Sequence, residues 1–69
     1  MNNIRELRKK RGISQEALAM AMGVRQSTVS RWDSGKMPHA SKLPLLAKTL
    51  HCTVDELLAD QEMKYKRES

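Results

Sequence analysis

Residues 15–32 constrain the fold more than any other stretch of the chain, because they read as two short helical patterns hinged on one glycine. Counting Gln15 as the first position, the fourth, eighth, tenth, fifteenth and eighteenth are apolar: Leu18, Met22, Val24, Val29 and Trp32. The fifth is the small Ala19, and the ninth is Gly23. Leu18, Ala19 and Met22 make a buried stripe at helical spacing, and Val29 and Trp32 share one face of a second helix. Gly23 between them can adopt the left-handed backbone that closes a helix. Two short helices joined by the turn at residues 23–25 fit a pair that crosses steeply over a tight turn, with an ordinary helical hairpin as the alternative. Ala19 supplies the small side chain such a crossing needs.

The rest of the chain continues in helices. A first helix is expected over about 3–11, with Ile4 and Leu7 inward, Gly12 as its stop and Ile13 as a buried link. Ser14 is an N-cap for 15–22, and Glu16 suits the amino end of that helix. The third helix is expected over 26–34, ending at Gly35. Residues 34–42 read as a loop. Ser41 would then cap a fourth helix over 42–51 carrying Leu43, Leu46, Ala47 and Leu50, which puts Pro44 in the first turn, where its missing N–H costs nothing. Thr53 and Glu56 form a capping box for a fifth helix anchored by Leu57 and Leu58. The reading is therefore all-α, a compact five-helix bundle, with one domain at 1–59 and a polar tail or helix extension at 60–69.

Composition supports this. Of the 69 residues, 39% are apolar, and Trp32 and Tyr65 are the only aromatics. The net charge is +5, which favours a polyanionic partner. A single cysteine, Cys52, permits no internal disulfide and suits a reducing compartment. The amino-terminal residues lack the apolar core of a signal peptide, and no run is long enough to span a membrane. A cytoplasmic, nucleoid-associated protein with no membrane partner is expected.

The third helix separates a DNA reader from an ordinary helical hairpin. Opposite Val29 and Trp32 lie Ser27, Ser30 and Arg31, with Gln26 at the open amino end and Thr28 at the flank. These side chains can hydrogen-bond base edges. A merely solvated face would carry Glu and Lys, yet no acid appears before Asp33. Gln26, Ser27, Ser30 and Arg31 are the expected base readers. Gln15, Arg25, Lys36 and Lys42 flank the helix and are expected at phosphates, with Thr28 beside them.

From Ile4 to Leu58 the sequence resembles the lambda-repressor/Cro family of helix-turn-helix regulators, the XRE type. The resemblance is carried by Ile4-Arg-Glu-Leu7-Arg8, Gly12-Ile-Ser-Gln15-Glu-Ala-Leu18-Ala19, Gly23-Val24, Val29-Ser-Arg-Trp32-Asp33-Ser-Gly35-Lys36, Leu46-Ala47-Lys-Thr-Leu50 and Val54-Asp-Glu-Leu57-Leu58. It implies a five-helix bundle whose third helix enters the major groove, and a homodimer that regulates transcription, as a repressor, from a palindromic site on double-stranded DNA. It also implies that Gln15 holds a phosphate, that Lys36 lies in the loop following the DNA backbone, and that Arg8 and Asp33 are a structural pair. Two positions depart from the family pattern. Arg25 replaces the usual Ser or Thr cap, leaving the third helix without a side-chain cap. Asp33 replaces Glu and is one methylene shorter, which leaves a direct, strained, water-bridged or absent pair open.

Other readings are weaker. The alternative function is an antitoxin or other interaction module whose partner is a toxin or regulatory protein, with 60–69 as its arm. That tail is short and weakly apolar. His39, His51 and Cys52 lack metal-ligand spacing, and Cys52 reads as a small buried filler. No nucleophile motif, phosphate loop or carboxylate pair points to an enzyme, and no cofactor is expected. The basic run at 8–11 reads as a solvated helix end whose cations suit the dipole, with a phosphate or membrane patch as its alternative.

Overall fold

The computed structural model describes residues 2–58. The tail expected at 60–69 lies outside them. Five α-helices follow one another, α1 Ile4–Lys10, α2 Gln15–Met22, α3 Gln26–Asp33, α4 Leu43–Thr49 and α5 Val54–Leu57, and a 3-10 turn at Ala40–Lys42 leads into α4. No strand occurs among the described residues.

The core is aliphatic around one indole. Ile4, Leu18, Val29, Leu46, Leu50 and Leu57 are fully buried, and Leu7, Ala19, Met22, Trp32 and Ala47 complete the cluster. Every helix contributes, so no helix buries its apolar stripe alone. Burying one such aliphatic side chain is worth about 1.5–3 kcal/mol. Ile13 and Val24 are half-buried links packed against the cluster.

The crossing of α2 over α3 is the largest helix–helix contact. Ser14 caps α2, its Oγ accepting from Ala17 N–H at 3.0 Å. Gly23 ends it with φ +70°, which brings Val24 N–H to the Ala19 carbonyl at 3.0 Å. A Cβ in that conformation would crowd the following carbonyl, which is why glycine sits at this turn. Thr53 and Glu56 make both bonds of the capping box on α5.

Two boundaries differ from the sequence reading. Ser41 is not the cap of α4. It lies inside the 3-10 turn, and its N–H donates to the ring Nδ1 of His39 at 3.1 Å. His39 thus takes the capping role one turn earlier, and α4 starts at Leu43 with Pro44 in its first turn and no side-chain cap. At the other end α4 stops at Thr49 rather than 51. His51 turns left-handed, with φ +56°, and Cys52 N–H closes on the Ala47 carbonyl at 2.8 Å. Arg11 supports this end from α1: its Nε donates to the Leu50 carbonyl at 3.0 Å and its Nη2 to the His51 carbonyl at 2.9 Å. Cys52 is half-buried against the core rather than buried within it.

Candidate nucleic-acid interface

The exposed face of α3 is built by the same periodicity that buries Val29 and Trp32. Gln26, Ser27, Ser30 and Arg31 are all exposed, and Thr28 is half-buried at the edge. No carboxylate shares this face, because Asp33 turns inward to α1 and α2. Arg25 occupies the N-cap position in an extended conformation and makes no side-chain cap, so the amino end of α3 is left open.

Asp33 anchors the helix. Its Oδ2 lies 2.6 Å from Arg8 Nη2, and its Oδ1 accepts a longer bond from Arg8 Nε at 3.4 Å. The two side chains are only about a tenth exposed, at 10% and 9%. The shorter acid therefore still reaches the guanidinium directly. Arg8 Nη1 donates to the Ile13 carbonyl at 2.8 Å, so one guanidinium joins α1, the α1–α2 link and α3. A charge pair this dry holds because its donors and acceptors are matched; removing either partner alone would strand the other.

The same carboxylate oxygen accepts from Gln15 Nε2 at 2.8 Å, and Gln15 Oε1 in turn accepts from Gln26 Nε2 at 3.4 Å. Arg8, Asp33, Gln15 and Gln26 thus form one polar chain running from the interior to the open end of α3. Each glutamine keeps a second amide N–H free of this chain. Gln15 can offer its own to a phosphate, and Gln26 can offer its N–H and carbonyl oxygen to an adenine edge.

Beyond α3, a cleft gathers Thr28, Arg31, Trp32, Lys36 and Met37. Thr28, Arg31 and Lys36 are thereby brought to one side of α3. The exposed Arg25 stands at the amino end of α3, and Lys42 is half-buried in the 3-10 turn further along the chain. Asn2 is a positioning residue the sequence reading missed. Its Nδ2 donates to the Trp32 carbonyl at 3.1 Å and the Lys36 carbonyl at 2.9 Å, tying the amino terminus to the exit of α3. The one available signal was local: Asn2 Oδ1 accepts from Ile4 N–H at 2.9 Å, a side-chain turn common just before helices.

Burial, with the Glu56 carboxylate adding to it and Arg11 opposing, pushes the Cys52 thiol above its usual range. No group of His, Cys, Asp and Glu suited to a metal occurs among the described residues.

Two short helices, a left-handed glycine between them and an acid-free polar face on the second define a helix-turn-helix. The Helix-turn-helix family model matches residues 4–57, and the chain belongs to this family, in its XRE type. It is a DNA-binding domain of the transcription-regulator kind. It is 34% identical over 61 residues to the HTH-type transcriptional activator BcrR of Enterococcus faecalis. That match takes in 87% of this chain but only 30% of the relative's length. Its fold is similar to the crystal structure of a transcriptional regulator from Listeria innocua, with a TM-score of 0.71 and 25% identity, covering 97% of this chain and 72% of the other. No helix among the described residues is long and apolar enough to cross a membrane.

Proposed function

We propose that this protein binds double-stranded DNA sequence-specifically as a homodimer, with α3 of each copy in the major groove of one half of a palindromic operator, and that it represses transcription by occupying that site. The observation that carries this reading is the face of α3. Gln26, Ser27, Ser30 and Arg31 are presented without a competing carboxylate, on a helix fixed from behind by the Arg8–Asp33–Gln15 chain. Gln26 and Arg31 have the geometry for bidentate pairing, glutamine with adenine and arginine with guanine, and Ser27 and Ser30 can add single bonds. Gln15, Arg25, Thr28, Lys36 and Lys42 then hold phosphates around the helix. Lys36 and Thr28 do so from the cleft they share with Arg31.

The dimer follows from the economy of readout. One helix reaches three or four base pairs, too few to choose a site, whereas two copies about 34–36 Å apart double the readable sequence. Repression needs nothing beyond occupancy of a promoter; the Enterococcus relative bears the name activator, and it is a longer chain. Selection of bound duplexes from a random pool tests the reading. The expected result is a two-fold-symmetric consensus with half-sites about one helical turn apart. A pool that stays random after repeated rounds would contradict it. A reporter carrying the selected site across its promoter then reads the sign, with lower output expected.

A further inference from the structure

Two clefts lie along α3, one on each flank. The first holds Arg31 and Lys36. The second lies between α1 and α3 and is lined by Arg5 and Lys9 of α1, Gln15 of α2, and Ser30 and Ser34, with the Arg8–Asp33 pair in its wall. The helical wheel explains the split. Thr28, Arg31 and Trp32 fall on one side of α3, and Ser30 and Asp33 on the other.

The fold divides the basic residues of α1 by role. Arg8 is neutralised by Asp33, and Arg11 is spent on the carbonyls of Leu50 and His51. Of the exposed cations left, Arg5, Lys9 and Lys10, the cleft is lined by Arg5 and Lys9, one helical turn apart. Neither has an ion-pair partner among the described residues. The single carboxylate of the cleft already accepts from Arg8 and Gln15. What the cleft offers a ligand is therefore donors: a guanidinium, an ammonium, the Ser30 hydroxyl and the second amide N–H of Gln15. That set suits a phosphate.

We infer that Arg5 and Lys9 seat a backbone phosphate of the operator, on the strand opposite the one followed by Lys36. This rests on the groove-docked reading above. A helix about 10–12 Å across, side chains included, fills a major groove about 12 Å wide, so the two sugar-phosphate backbones must pass its two flanks. One flank meets Arg31 and Lys36, and the other meets the Arg5–Lys9 cleft. On this reading Lys9 takes the phosphate role that the basic run left open, while Lys10, which does not line the cleft, keeps the solvated-end role.

The test is a fluorescence-anisotropy titration of the full chain on its selected duplex at several salt concentrations. It compares wild type with Arg5→Gln, Lys9→Gln, both together, and Lys10→Gln as the same charge change off the cleft. The double substitution should lower the slope of log K against log[salt] by roughly 0.9, each single substitution by part of that, and sequence preference should not change. Lys10→Gln should keep the wild-type slope. A second arm replaces single backbone phosphates by neutral methylphosphonates. One position on the strand away from Lys36 should weaken the wild type but not the Arg5→Gln/Lys9→Gln double variant, which separates a DNA phosphate from a free anion. If the cleft variants match wild type in slope and affinity while Lys36→Ala flattens the slope, the cleft holds no phosphate and the groove reading stands. An equal loss with Lys10→Gln would overturn the inference as general charge. A wild-type chain that binds no duplex would overturn both readings.

Discussion

Gln15 donates to Asp33 at 2.8 Å, so the first residue of α2 is tied to the last residue of α3. The bond spans the motif diagonally. It ties the start of α2 to the end of α3, while Leu18, Ala19, Met22 and Val29 share the core. Because the same oxygen also takes Arg8, the orientation of α3 is referred to α1 as well.

Arg8 and Asp33 should therefore be strongly coupled in stability. Truncating either alone is expected to cost about 3 kcal/mol, because the survivor is left nearly buried and unpaired. Replacing both with apolar residues, Arg8→Met with Asp33→Leu, should cost less than the sum of the single losses. Urea unfolding of the four members of the cycle measures this. A coupling energy near zero would show that solvent already compensates the pair.

His51 should be a site of easy stabilisation. It holds φ +56° without being glycine, and the bonds of Arg11 to this turn go to main-chain carbonyls, so they survive substitution. His51→Gly is expected to gain about 0.5–1 kcal/mol, the relief of the left-handed strain being partly offset by a freer unfolded chain. In a domain this small that raises Tm by about 4 °C. His51→Val should lower Tm. Equal Tm values for the two variants would mean that the backbone there is unstrained.

The course of α2 and α3 was legible in the sequence because it is set by local chemistry and periodicity. Ser14 caps α2, Gly23 turns it, and Val29 and Trp32 set the face of α3. The start of α4 was not legible, because a histidine ring, two residues upstream of Ser41, does the work usually assigned to a short hydroxyl or amide side chain. The end of α4 was hidden for a related reason: His51 adopts a conformation whose usual signal is glycine or asparagine. The links made by Asn2 to Trp32 and Lys36, and by Gln15 to Asp33, bridge separations of 30, 34 and 18 residues. Nothing in the local pattern names such partners.

The Cys52 thiol should react slowly in the folded protein. Burial and the Glu56 carboxylate both disfavour its thiolate, which is the reactive form, and Arg11 only partly offsets them. Labelling with a chromogenic disulfide reagent at pH 8 is expected to be roughly tenfold or more slower in the native protein than in denaturant. Equal rates would contradict the raised thiol.

Lys36 and Gln15 should weaken DNA binding in different ways. Lys36→Ala removes a cation from the cleft beside Arg31 and is expected to flatten log K against log[salt] by roughly one unit. Gln15→Ala carries no charge change, so affinity should fall with little change in slope. It also releases Gln26, so preference at the base Gln26 reads should loosen as well. A salt-series titration of both variants against wild type decides this; an unchanged slope and affinity for Lys36→Ala would mean that the loop after α3 faces away from DNA.

The central claim is that the outer face of α3 reads bases, and the most direct measurement compares Gln26→Ala and Arg31→Ala on the selected duplex and on random duplex at one fixed salt concentration. Both side chains are exposed and neither touches the core, so folding should be preserved, which a thermal melt confirms. Each substitution is expected to cost about 1–3 kcal/mol on the selected site and far less on random DNA, and to relax the preference at one position in each half-site. Equal losses on the two duplexes would contradict the claim, since residues that only hold phosphates weaken all sequences alike.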